Sequence, residues 1–167
     1  MNHVPVYKVV IAGDENVGKT SLVRQYCEGR FETSRISTIG VDFQTKVVAL
    51  PAGEVKLSIW DMAGQERFEI VRTGFYRGTR ATALIYDLGV PKTLENLQRW
   101  HEETRSNSTC QKYLVVGNKA DIVTGRNTYV AELFARLIGA EHIITSAATA
   151  EGVETLFFKL AELANTA

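Results

Sequence analysis

The segment Val9-Val10-Ile11-Ala12-Gly13-Asp14-Glu15-Asn16-Val17-Gly18-Lys19-Thr20-Ser21 sets an apolar, strand-like run directly before G-x-x-x-x-G-K-T, with a helical pattern over Lys19–Glu28 directly after it. Glycine at 13 and 18 lets the backbone curl, so that successive N–H groups converge on a phosphate. The dipole of the following helix adds to that attraction. Lys19 supplies a point charge for β- and γ-phosphates. Thr20 offers a hydroxyl to Mg²⁺, an ion that keeps several waters and takes few protein ligands. Glu15, Asn16, Val17 and Ser21 complete the candidate cradle. A fortuitous match within an ordinary strand–turn–helix is the competing explanation. The motif points to a nucleoside triphosphate and leaves the base open.

Outward from this loop the sequence alternates between period-2 and period-3.6 patterns, the mark of an α/β domain. Tyr7–Ala12, Phe43–Leu50, Val55–Trp60, Ala81–Tyr86, Tyr113–Val116 and His142–Thr145 read as strands. Pro51-Ala52-Gly53-Glu54 is a hairpin signal, which makes the second and third strands antiparallel. Helices are expected at Lys19–Glu28, within Met62–Gly78, after Pro91, at Thr128–Ile138 before Gly139, and at the C-terminal end. There Val153, Leu156, Phe157, Leu160 and Ala164 share one face. The expectation is a six-stranded, mostly parallel sheet with one antiparallel edge strand, flanked by five helices. Such sheets bind ligands at the carboxyl ends of their strands, where the motifs fall.

A chain of 167 residues supports one domain, taken as 1–167. Nineteen basic and nineteen acidic residues cancel, which argues against a dedicated nucleic-acid binder. Cys27 and Cys110 lack CxxC spacing, so neither a disulfide framework nor a zinc site is expected, and a reducing cytoplasmic setting fits. His3, His101 and His142 are scattered. No run approaches the roughly 20 apolar residues that span a bilayer. Asn2 excludes myristoylation and Asn165-Thr166-Ala167 holds no prenylatable cysteine, so no direct membrane anchor is expected in this chain.

Asn118-Lys119-Ala120-Asp121 follows the strand that begins at Tyr113. A carboxylate accepts from both the ring N–H and the exocyclic NH₂ of guanine, a pair that adenine does not present on that edge. Asp121 is therefore the candidate for choosing guanine. The plain alternative is a polar turn capped by Asp121.

With both motifs in place, the chain resembles the Ras superfamily of small GTPases, and within it the Rab family. Ile39-Gly40-Val41-Asp42-Phe43, Lys56-Leu57-Ser58-Ile59-Trp60, Trp60-Asp61-Met62-Ala63-Gly64-Gln65-Glu66-Arg67-Phe68 and Phe75-Tyr76-Arg77-Gly78 carry the likeness. The resemblance implies GTP and GDP with Mg²⁺ as ligands, and slow intrinsic hydrolysis of GTP by a molecular switch, with vesicle traffic as its setting. It implies that Thr38 binds Mg²⁺ and senses the γ-phosphate, and that Asp61 holds the ion through water. Further, Gly64 touches the γ-phosphate, Gln65 orients the attacking water and Lys19 neutralises charge. Phe31 stacks against guanine, Asn118 and Lys119 complete the base turn, and Ser146-Ala147 meets the guanine carbonyl. Effector, exchange-factor and GTPase-activating proteins are expected to bind through about residues 31–43 and 62–78, with Phe43, Trp60 and Phe75. For these three aromatics, ordinary core packing is the alternative.

Four positions depart from the family pattern. Ala148 stands where a lysine usually covers the base, which predicts weaker binding and faster release of nucleotide. Glu15 puts a carboxylate where small residues are usual, either solvated or paired with Arg35. Met62 replaces a threonine, with no consequence assigned. Arg35, three residues before Thr38, either reaches the triphosphate as an arginine finger in cis or is a solvated side chain. Two other functions stay open on these residues: a GTP-binding module with negligible turnover, and an ATP-dependent P-loop enzyme.

Overall fold

The computed structural model describes residues 3–33, 38, 40–109 and 112–166. In chain order the elements are β1 (Val6–Ala12), α1 (Lys19–Glu28), β2 (Val41–Leu50), β3 (Gly53–Met62), a 3₁₀ turn (Glu66–Phe68), α2 (Glu69–Thr73), β4 (Thr79–Asp87), α3 (Pro91–Glu95), α4 (Leu97–Ser106), β5 (Tyr113–Asn118), α5 (Tyr129–Leu137), β6 (Glu141–Ile144) and α6 (Val153–Asn165). One sheet runs β2-β3-β1-β4-β5-β6, with β2 antiparallel to β3 and every other pair parallel. Helices α3 and α4 are separated only by Asn96, whose N–H still reaches the Lys92 carbonyl at 3.0 Å. Counted as one broken helix they give the five flanking helices expected, including short α2.

The central strands read as apolar runs because both faces are covered. Val9, Val10, Ile11 and Ala12 are all fully buried, pointing alternately into two cores. On one face α1 and α6 pack, with Tyr26 stacked on Phe157 at 4.1 Å between ring centroids. All five apolar positions of the α6 face, from Val153 to Ala164, are buried there as their spacing requires. On the other face α4 and α5 contribute Leu97, Trp100, Ala131 and Ala135. Met62 is fully buried in this second core beside Tyr76, so its place in the sequence is a packing choice.

The hairpin is tighter than the four-residue turn expected. Leu50 pairs directly with Gly53, leaving only Pro51-Ala52 as the loop, and the strands extend to Val41 and Met62 at the far end. That extension matters for position. It carries the chain leaving residue 38 alongside the end of β3, where Ala63 N–H donates to the Gly40 carbonyl at 2.9 Å. The carboxyl ends of β1, β3, β5 and β6 then open on one edge of the sheet.

Candidate functional site

On that edge lies a groove of about 270 Å³, lined among others by Glu15, Asn16, Gly18, Lys19, Thr20, Ser21, Phe31, Thr38, Gly64, Gln65, Lys119, Asp121, Ala147 and Ala148. Most of the residues picked out in the sequence therefore meet in one place. Gly13, Val17, Asn118 and Ser146 are buried behind this lining, and buried Asp61 is bonded to Thr20 and Thr38 of it. Arg35 lies outside the described residues.

The loop between β1 and α1 has the left-handed backbone its glycines permit. Gly18 has φ +100°, and a Cβ there would sit 2.3 Å from Asn118 Nδ2. Asn16 also adopts a left-handed φ of +67°. Lys19 is 6% exposed, and its ammonium donates to the Gly13 carbonyl at 2.8 Å and the Asp14 carbonyl at 2.7 Å. The loop is thus closed over its own lysine. Burial pulls the Lys19 pKa down to about 8, with Asp61 and Asp14 acting in the opposite direction.

Beside Lys19 three oxygen-bearing side chains converge. Thr20 Oγ1 lies 2.6 Å from Thr38 Oγ1 and donates to Asp61 Oδ2 at 2.5 Å, while Thr38 Oγ1 reaches the same oxygen at 3.3 Å. Among the described residues, Asp61 Oδ1 is the one buried side-chain polar atom with no hydrogen-bond partner. Burial pushes the Asp61 carboxyl above its usual range against the pull of Lys19. Hydroxyl and carboxylate oxygens, with one carboxylate atom left unsatisfied, are the donor set a hard, partly hydrated divalent cation uses. The residues present fit magnesium.

At the other end of the groove Asn118 is a staple. Its amide donates to the Val17 carbonyl at 2.9 Å and its oxygen accepts from Thr145 Oγ1 at 2.9 Å, joining phosphate loop, β5 and β6 loop. Ser146 Oγ donates to Asp121 Oδ1 at 2.8 Å, which fixes the carboxylate. Lys119, at φ +69°, pairs with Asp87 Oδ2 at 3.1 Å. Gln25, unremarkable in the sequence, donates to the Ala147 carbonyl at 2.8 Å.

Gly64 meets the phosphate loop so closely that a Cβ would lie 2.4 Å from the Glu15 nitrogen. Gln65 Nε2 donates to Glu15 Oε1 at 3.0 Å. Glu15 is therefore exposed but partnered, by a residue the sequence reading had not paired with it. Phe43 and Phe75 are 57% and 39% exposed and flank half-buried Trp60, with ring centroids at 5.2 and 5.8 Å. For Phe43 and Phe75 the core-packing alternative fails. Sequence reasoning also missed a polar network on α4: Trp100 Nε1 and Asn96 Nδ2 donate to the Asp14 carboxylate at 2.8 and 2.6 Å, and Glu103 pairs with buried Arg72. Its pairs join residues distant in sequence, and no local pattern announces them.

His101 and His142 are packed into the structure, and burial lowers the pKa of both. Among the described residues no cluster of His, Cys, Asp or Glu forms a further metal site. No helix in the described residues is long and apolar enough to cross a membrane.

This strand order, with a phosphate loop after the central strand and an Asn-Lys-x-Asp turn after the fifth, defines a P-loop GTPase fold. A sequence profile of the Ras family matches residues 8–166. The chain is 36% identical over 159 residues to Ras-related protein Rab-13 of Bos taurus, covering 93% of this chain and 78% of that protein. It is 37% identical over 160 residues to Ras-related protein SEC4 of Saccharomyces cerevisiae, covering 95% and 74%. With Ras-related protein Rab-21 of Bos taurus it shares 38% over 159 residues, covering 92% and 71%. The chain belongs to the Ras family, with Rab proteins among its relatives. Members of this family bind GTP and GDP with Mg²⁺ and hydrolyse GTP to GDP.

Proposed function

We propose that residues 1–167 act as one guanine-nucleotide switch, in which the groove holds the nucleotide and two neighbouring segments read its state. The observation that carries this is the convergence of Thr20, Thr38 and Asp61 within 3.3 Å of one another beside buried Lys19. Thr38 comes from the segment after α1 and Asp61 from the end of β3, so the residues that would hold an ion come from three separate parts of the chain. Magnesium held by Thr20, Thr38 and Asp61 would supply positive charge to the phosphates.

The protein's own groups do the rest. Backbone N–H groups of 15–20 and the Lys19 ammonium bind and orient the phosphates. The Gly64 amide faces the γ-phosphate, and the Gln65 side chain orients the attacking water. Asp121, held by Ser146, selects guanine, while Phe31, Ala147 and Ala148 flank the base. Phosphoryl transfer needs positioning and charge neutralisation more than covalent chemistry, and with Gln65 bonded to Glu15 the intrinsic rate is slow.

Hydrolysis removes the γ-phosphate that Thr38 and Gly64 read, and the change in the surface around them is what a partner protein senses. Effectors, exchange factors and GTPase-activating proteins meet this face, with exposed Phe43 and Phe75 and half-buried Trp60 as anchors. The setting is the cytoplasmic side of a membrane-traffic route. Nucleotide extracted from the purified protein and resolved by chromatography tests the reading. Guanine nucleotide at one equivalent, with phosphate released from loaded GTP, is the expected result; adenine nucleotide or none overturns it.

A further inference from the structure

We propose that Arg72 is a positioning residue for the hydrolytic centre, and that with Glu103 it makes α4 the strut that sets Gly64-Gln65 against the phosphate loop. The proposal rests on the roles given above to Gly64 and Gln65.

Arg72 belongs to α2, a helix of five residues whose Ile70 and Val71 are 89% and 45% exposed, yet Arg72 itself is 2% exposed. Its guanidinium makes four hydrogen bonds. Nε and Nη2 donate to the two Glu103 carboxylate oxygens at 3.0 and 2.8 Å. Nη1 donates to the Ala63 carbonyl at 2.9 Å and the Gln65 carbonyl at 2.6 Å. These are the peptide oxygens on either side of Gly64. The Trp100 ring lies 4.4 Å from the guanidinium, and the Tyr76 hydroxyl donates to Glu103 as well.

Asn96, Trp100 and Glu103 are spaced by four and three residues, so they share one face of the α3–α4 helix. From that face Asn96 and Trp100 hold the Asp14 carboxylate of the phosphate loop, and Glu103 holds Arg72. One rigid element therefore grips both walls between which Gly64 is pressed.

A buried ion pair is a poor source of stability, because desolvation cancels much of the attraction and an apolar pair of equal volume does as well. What the charged pair adds is direction. A bidentate fork locks the guanidinium plane, and the free Nη1 then fixes two peptide planes at once. A five-residue helix with an exposed outer face cannot impose that order by itself.

The test uses the nucleotide-loaded chain and two variants: Arg72→Met, and Arg72→Met with Glu103→Leu, in which neither charge of the pair is left unpartnered. Three quantities are measured: single-turnover GTP hydrolysis, GDP dissociation, and amide hydrogen exchange over residues 63–68 with a non-hydrolysable GTP analogue bound. In the double variant hydrolysis falls by about tenfold or more, exchange over 63–68 quickens by about tenfold or more, and GDP dissociation stays within about twofold of the parent. Exchange within about twofold of the parent overturns the proposal, as does a loss of GDP binding in proportion to hydrolysis. Gln65→Leu serves as the separate control. If it leaves hydrolysis intact, the role given to Gln65 is wrong, while exchange over 63–68 still decides the role of Arg72.

Discussion

Replacing Glu15 by serine should accelerate intrinsic GTP hydrolysis by about tenfold. Two contributions add. The Gln65 amide donates to the Glu15 carboxylate at 3.0 Å on an exposed part of the groove, and holding the glutamine there keeps it from the attacking water. An exposed bond of this kind is worth about 1 kcal/mol net, so releasing it makes the competent rotamer about fivefold more available. The carboxylate also opposes the charge that builds on the γ-phosphate. At about 5 Å and the dielectric of water a unit pair costs about 0.8 kcal/mol, a further factor of about three or four. The product is an upper value of about 20, and solvent screening brings it to about ten. Glu15→Gln separates the two, since it keeps an acceptor for Gln65 and removes the charge; its gain should be about threefold. Single-turnover phosphate release at saturating Mg²⁺ is the assay, with GDP dissociation measured in parallel. If Glu15→Ser hydrolyses within about twofold of the parent while Gln65→Leu still stops the reaction, Gln65 is not restrained by Glu15 and the reasoning fails.

Asn118→Ala leaves the Val17 carbonyl and the Thr145 hydroxyl buried without their partner, and should cost about 2–4 kcal/mol in urea unfolding; a loss under about 1 kcal/mol would show that the staple is dispensable. Ala148→Lys lays a partly buried apolar stem along the base side of the groove, worth about 1 kcal/mol, and GDP release should slow about fivefold in a fluorescent-nucleotide chase. An unchanged rate contradicts that. His142 is held below its ordinary pKa by burial, and its ring nitrogen lies 2.7 Å from the Tyr86 hydroxyl. The unfolded chain therefore takes up the proton first, so stability is full above about pH 6.5 and falls as the pH drops through that value. His142→Gln should flatten the loss in denaturant midpoint between pH 7.5 and 5.5, and an equal loss in the variant would place the titration elsewhere.

The parts of the molecule legible in the sequence are those set by short-range chemistry. The phosphate loop was readable because Gly18 must have a positive φ and leave room for Asn118. The α6 face was readable because burial recurs at helical spacing from Val153 to Ala164. Strand ends were less so: Val41, Asp42, Asp61 and Met62 pair because the hairpin continues past its apolar stretch, and backbone pairing leaves no trace in side-chain polarity. Least legible were the long-range polar contacts. Arg72 sits in a helix that looks solvent-facing, and its partner is 31 positions away. Trp100 shows as a core aromatic, yet its ring N–H serves Asp14, 86 positions earlier. Glu15 was recognisable as anomalous, but its bond to Gln65 depends on how closely Gly64 packs on the loop.

The chain has two tryptophans, and both stand where the two states should differ: Trp60 between Phe43 and Phe75, and Trp100 between Asp14 and Arg72. Following their emission after Mg²⁺ is added to GTP-loaded protein, alongside phosphate release in the same sample, joins site, chemistry and movement in one trace. The account predicts a change that proceeds with the rate constant of phosphate release, reverses when GTP is reloaded, and is absent with ATP. Emission that stays constant through hydrolysis, or that responds equally to adenine nucleotide, would contradict it.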